Sequence, residues 1–312
     1  MKIKPGIKAA LWMVPGAVFM LLMVLVVGHF RNEQDPAKQL AFKARRVDLV
    51  SRMQLGLSSA SEAEKSAVMA ITDQESKTFA DQAHATTAEV ERERRELEEV
   101  LKTGGTQSES ELLAQFAQAF TEFQRIDSDL LNMAVRNTNL KAYNMAFGPA
   151  ADALDEMNRA LSRIVAAAVD SPEAKKVMFL AFSAQIGSLR IQTLLPPHIA
   201  EENDEKMDKL EALMAEEDAQ IRKDIDALKV LPCLSCDVDL AKAASSYNRF
   251  SKIRIQILKL SRENTNVRSL AISLSKKRKV TLLCQDTLNM LKQAILEEPV
   301  KGITYGPPAR PR

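Results

Sequence analysis

Cys233 and Cys236, in Cys-Leu-Ser-Cys, are the residue types with the most direct chemistry to offer. Such a pair can close a local disulfide outside a reducing compartment, stand as two free thiols, or supply half of a metal site. Metal needs two more ligands, and no second Cys-x-x-Cys and no paired histidines exist. Haem attachment needs a histidine at 237, which is Asp, and a redox motif needs a strand–turn–helix setting. A disulfide that pins a loop leads, with free thiols and then metal as alternatives; no cofactor is expected. His29, His84 and His198 are scattered, and there is no phosphate loop, nucleophile elbow or His-Glu-x-x-His, so an enzyme is not expected. Cys284 falls on an apolar seam as a small buried residue, and the methionines read as core or bilayer filler.

Two polar triplets remain, Asn137-Thr138-Asn139 and Asn264-Thr265-Asn266. Asn and Thr cap helices and form turns, so each triplet either caps the helix that follows or forms a polar patch at the membrane-distal tip. Lys276-Lys277-Arg278-Lys279 is a basic run inside a helical pattern. It reads as a solvated face or as a contact for an acidic partner or anionic lipid, and since it winds round all faces, one or two of its members turn inward.

The triplets belong to a longer repeat. Residues 120–140 and 247–267 align at an offset of 127, with Phe123/Phe250, Ile126/Ile253, Leu131/Leu258 and all three triplet positions identical. A repeat of this length means two copies of one structural unit.

The elements that position these residues are helices. Glycine numbers only 10 and aromatics 5%, while Ala, Leu, Glu, Lys, Met and Gln abound. The net charge of +2 gives no electrostatic case for nucleic acid. Ala9–Gly28 is almost entirely apolar and 9–30 is free of charge, long enough to span a bilayer core of roughly 30 Å. Lys2, Lys4 and Lys8 precede it, which places 1–8 in the cytoplasm and the remainder outside. The run is long for a signal peptide and no small-x-small site follows, so an uncleaved anchor is expected.

Beyond the anchor, Leu112, Phe116, Ala119, Phe123, Ile126, Leu130 and Met133 alternate by four and three, as do Ala243, Ser246, Phe250, Ile253, Ile257 and Leu260. A further seam runs from Val267 to Ile295 with Lys277 as its one charged member. Breaks at Thr72-Asp73, Thr103–Thr106, Asn137–Asn139 and Asp170–Pro172, then near Pro196-Pro197 and over Leu231–Asp239, cut each copy into four helices. Short joints between amphipathic helices give an up-down four-helix bundle. The expectation is all-α: bundle one at 31–170, bundle two at 171–297 and a disordered Pro/Gly/basic tail at 298–312. An even number of helices returns the chain to its starting end, so the two bundles are expected side by side.

A membrane helix leading into such a bundle resembles the extracytoplasmic sensory domain of methyl-accepting chemotaxis receptors. ARRVDLVSRMQLGLSSASEAEKSAVMAI resembles its first helix, AEVERERRELEEVLK its second, FAQAFTEFQRIDSDLL its third and NTNLKAYNMAFGPAADALDEMNRAL its fourth. The resemblance implies arginines near the distal end of the first helix that hold a ligand carboxylate, for which guanidinium is suited. Copy one has only Lys65 in that stretch. Copy two has Arg190, and the helix facing it offers Asn264, Thr265, Asn266 and Arg268, so Arg190 with Arg268 is an expected anion clamp, with Asn137 and Asn139 as the equivalent polar residues of copy one. Such receptors continue through a second span into a signalling coiled coil, and residues 31–312 contain no further charge-free run approaching 18 residues.

Two readings follow. One is a sensory module in a bacterial inner membrane, single-pass with its bulk in the periplasm, binding a small anionic ligand and working with a membrane-protein partner or as a homodimer, without its own signalling half. The other is an adaptor of the cell envelope that holds partners and senses nothing.

Overall fold

The computed structural model describes residues 36–234 and 237–300, with the side chain of Cys233 outside the description. The anchor at 9–30, the segment 1–8, the tail from 301 and the Cys233–Cys236 pairing all lie outside the described residues. Among the described residues there is no strand, and no helix is long and apolar enough to cross a membrane.

The helices, in order, are α1 (Pro36–Met69), α2 (Asp73–Gly104), α3 (Gln107–Ala134), α4 (Thr138–Met145), α5 (Ala151–Ala167), α6 (Ala174–Ala200), α7 (Asp204–Lys229), α8 (Val238–Glu263), α9 (Thr265–Ile272) and α10 (Arg278–Glu297). Their ends follow local chemistry. Thr106 and Glu109 form a reciprocal capping box at the start of α3. Asn203 and Asp237 accept backbone N–H bonds at the starts of α7 and α8. The break expected near Pro196-Pro197 comes later, because α6 runs through both prolines to Ala200.

The repeat survives at residue level in the backbone. Among the described residues, Asn137 and Asn264 are the two non-glycine residues with positive φ, at 48° and 52°. Each is followed by an eight-residue helix, α4 or α9, and then by a single π-turn, Ala146–Ala150 or Ser273–Lys277. All of these elements sit 127 apart. The first π-turn contains a kink at Gly148 beside Pro149, whereas the second is regular throughout.

The described residues divide into two compact units, each built from separated segments: 36–59, 85–122 and 280–300 in one, 60–84 and 123–279 in the other. The expected division into consecutive bundles at 31–170 and 171–297 is not the one found. The side-by-side placement had that division as its premise.

In the first unit, parts of α1, α2, α3 and α10 come together. Leu49, Met53, Leu57, Leu97, Phe116, Phe120, Cys284, Leu288 and Leu291 are fully buried, and Phe116 stacks on Phe120 at 5.2 Å. In the second unit, α5 packs on α8 and α6, and α6 on α7, around a core that includes Leu154, Met157, Leu161, Ile191, Ile221, Tyr247 and Phe250.

The fourth helix of each copy is therefore exchanged. α4 and α5, expected to close a bundle with α1–α3, pack on α6 and α8 of the other copy, while α9 and α10 join α1–α3. The reason is visible at Asn264. It is the only residue between α8 and α9, and it stands in the left-handed region, which Asn visits as a single residue. Substituting Asn264 tests this. Asn264→Gly keeps the conformation at no steric cost, whereas Asn264→Ala adds roughly 1–2 kcal/mol of left-handed strain; in chemical denaturation the alanine variant is expected to be the less stable of the two by about that amount.

Candidate functional site

The two triplets meet. Thr138 donates its backbone N–H to Thr265 Oγ1 at 3.2 Å, and Thr265 returns the bond to Thr138 Oγ1 at 3.1 Å. The N–H of Asn139 reaches Asn266 Oδ1, and that of Asn266 reaches Asn139 Oδ1, at 3.2 and 3.1 Å. Asn139 Nδ2 donates to Asn264 Oδ1 and Asn266 Nδ2 to Asn137 Oδ1. The first N–H groups of α4 and α9, which have no partner within their own helices, are thus capped by side chains of the opposite copy. Capping was the simpler expectation for these residues; the capped helix is the other one. Arg136 and Glu263, themselves 127 apart, add an ion pair of 2.5 Å. Asn137, Thr138, Asn139, Asn264 and Thr265 are buried and Asn266 is half-buried, with their polar atoms engaged in this joint.

Arg190 and Arg268 are not brought together. Arg190 pairs with Glu217 at 2.9 Å and Arg268 lies 3.7 Å from Asp204. Those carboxylates are thirteen residues apart on α7, about 20 Å along its axis. Both arginines are exposed members of surface pairs.

A second cluster was only half legible. Lys277, the one charged residue of the last seam, is fully buried on the second π-turn. It pairs with buried Asp127 of α3 and stands 3.3 Å from the ring centroid of Phe123. Glu64 of α1 lies beside them and is bonded by Ser273. Burial, the largest influence, pushes its carboxyl above the usual carboxylate range; the bond from Ser273 and the Lys277 charge oppose that, and Asp127 adds to it. Asp127 Oδ2 and Glu64 Oε1 are both buried without a hydrogen-bond partner. The other copy has Ile191, Arg254 and Ala150 at the corresponding positions. The fold therefore does not require the trio. Arg254 there faces Asp218 at 3.2 Å.

A third place faces a cavity of about 420 Å³, within the range of small-ligand pockets. Gln39, Phe42, Lys43, Arg46, Thr103 and Glu298 are among its walls. Arg46 is buried, holds Glu109 at 2.5–2.7 Å and Glu298 at 2.5 Å, lies over the Phe42 ring, and has its Nε without a partner. Lys43 donates to the backbone oxygens of Leu296 and Glu298, at the end of α10, where a cation suits the helix dipole. The segment expected to open a disordered tail is thus tied down at Glu298. His198 is a buried structural residue, bonded to Ser261 and Glu211 and kept neutral mainly by burial. Among the described residues no group of His, Cys, Asp and Glu could hold a metal.

The described residues thus form all-α, four-helix arrangements joined by buried polar contacts. Residues 55–177 match the family described as a four helix bundle sensory module for signal transduction. No curated protein and no solved structure matches the chain. The matched stretch follows chain order through α5, whereas in the fold α5 packs with the second copy.

Two outcomes test the buried trio. Lys277→Met leaves Asp127 charged and unpaired, and is expected to cost about 3–5 kcal/mol, much of it recovered in Lys277→Met/Asp127→Leu; a double-mutant cycle in urea reads the coupling. The folded protein holds the Glu64 proton to higher pH than the unfolded chain does. Stability from this group is full below the unfolded carboxyl range and falls as pH rises through the folded value. Glu64→Gln is expected to flatten that decline in unfolding midpoints measured from about pH 4 to pH 8.

Proposed function

We propose that the chain is the ligand-sensing part of a chemoreceptor-type system, anchored through residues 9–30 with its helical bulk outside the cytoplasm. The match of residues 55–177 to the sensory module carries this reading. The ligand is a small anion. The cavity supports that class, having Lys43 and Arg46 beside Glu298 in its walls and room for a small molecule. An anion drawn to Arg46 competes with Glu298, the residue directly after α10, so binding loosens the end of the last helix. Shifts of an Ångström or two in packed helices are the usual signal of such bundles, and a membrane-protein partner or a second copy receives it.

The test is a thermal-shift screen of the full chain in nanodiscs against amino acids, organic acids, nitrate, phosphate and sugars. A ligand at a hundred times its dissociation constant adds about 2.7 kcal/mol. The expected result is a selective anionic hit that weakens in Lys43→Ala and persists in Arg190→Ala. A screen flat across all classes supports the envelope-adaptor reading instead.

A further inference from the structure

Glu64, Asp127 and Lys277 bring two carboxyl groups and one ammonium into one buried place, each residue 1% exposed and all three within the second unit. With both carboxyls ionised, that place holds one negative charge more than its ammonium balances. A buried group in that position takes up a proton rather than stay charged. The hydrogen bonds show where the proton goes. Lys277 Nζ donates to Asp127 Oδ1 and to the Phe123 backbone oxygen, and stands over the Phe123 ring. Ser273 bonds Glu64. One oxygen of each carboxyl is left over, Glu64 Oε1 and Asp127 Oδ2, buried and without a hydrogen-bond partner. Ionised carboxylates only accept, so they cannot satisfy each other; a single proton turns Glu64 Oε1 into a donor and Asp127 Oδ2 into its acceptor.

The repeat supplies an internal control. The positions equivalent to Glu64, Asp127 and Lys277 are Ile191, Arg254 and Ala150, so the same π-turn, at Ala146–Ala150, is built without the two carboxyls at those positions. Of the basic run, Lys276, Arg278 and Lys279 are exposed and Lys277 turns inward. Ser273 and Lys277, the first and last residues of the second π-turn, are the two that the carboxyls hold. α1 and α2 add Ala63, Ala67, Ala80 and Ala83, and α3 adds Leu130 and Leu131, to the apolar core of the same elements.

We propose that the trio is a proton-binding site: Glu64 carries one proton and donates it to Asp127, and loss of that proton releases the π-turn Ser273–Lys277. The step is an ionisation, with the proton passing to water. It leaves two buried oxygens without a donor and a surplus charge in the core, and Ser273 and Lys277 are the groups placed to follow it. Burial, the largest influence, favours the protonated carboxyl, as does the Asp127 charge; Ser273, Lys277 and the exposed Lys65 oppose it. The closed turn is therefore the low-pH form, and it opens as pH rises. A metal ion in the same place would stand against the Lys277 ammonium, and among the described residues no group of His, Cys, Asp and Glu could hold one. This inference is independent of the small-anion reading.

The test combines infrared and amide-exchange measurements on the full chain in nanodiscs. The C=O stretch of a buried protonated carboxyl is expected in the wild-type protein at about pH 6, where ordinary carboxyls have ionised, and not in Glu64→Gln. It is also expected to vanish in Asp127→Asn, where Lys277 is left to pair with Glu64 and ionise it. Corrected for intrinsic rates, amide protection over 273–277 is expected to fall by up to about tenfold per pH unit from the ordinary carboxylate range to the folded value, the slope of one proton, and then to level off. Glu64→Ile takes the residue of the other copy and leaves Lys277 paired with Asp127 alone. It is expected to remove that slope, and the turn at 146–150 is expected to show none. A wild-type spectrum with no Glu64-dependent carboxyl band between about pH 4 and about pH 9, or a slope at 273–277 that survives Glu64→Ile, would overturn the proposal.

Discussion

The joint between the two Asn-Thr-Asn triplets is the interaction on which the arrangement of the second unit depends. Two helices restart after a left-handed residue, and each leaves N–H groups that its own helix cannot satisfy. Burying those groups unpaired costs free energy comparable to a lost hydrogen bond each. Placing the two restarts against one another satisfies both sets, because each side chain oxygen meets the other copy's backbone. The symmetry of the joint follows from the repeat: identical residues 127 apart meet as equals.

The exchange of fourth helices follows from that joint. A connection of one residue has no length in which to turn back, so α9 continues onward from α8 and is available to α1–α3. In the first copy three residues, 135–137, join α3 to α4, and α4 and α5 pack on helices of the second copy. Each four-helix arrangement is then completed by the other copy. In this arrangement the apolar faces of each copy are buried in part by helices of the other.

Against this symmetry, the differences between copies are where function is to be sought. The trio of Glu64, Asp127 and Lys277 sits where the second copy has Ile191, Arg254 and Ala150, and its lysine lies on the π-turn that lacks glycine and proline. Buried ionic groups are a weak source of stability, and π-turns inside helices recur at functional sites. Copy one keeps its Arg46 and Lys43 beside a cavity, on the segment that precedes the stretch matched to the sensory module.

The helices, the seams and the repeat were legible in the amino-acid order, because period and capping are local properties. Phe116, Phe123 and Leu130 point inward as their spacing requires, and Lys277 announced itself as the charged member of an apolar seam. The triplets were legible as caps. Which helix they cap was not, because a cap donated across 127 residues leaves no local trace. The pairing of α5 with α8 was hidden for the same reason: a heptad seam specifies a partner face without naming the partner. Arg190 and Arg268 looked convergent from a resemblance built on one bundle, and the exchange set them on carboxylates about 20 Å apart. Residue order determined the elements and their doubling; tertiary structure decided which copy completes which, since that choice depends on satisfying buried groups far apart in the chain.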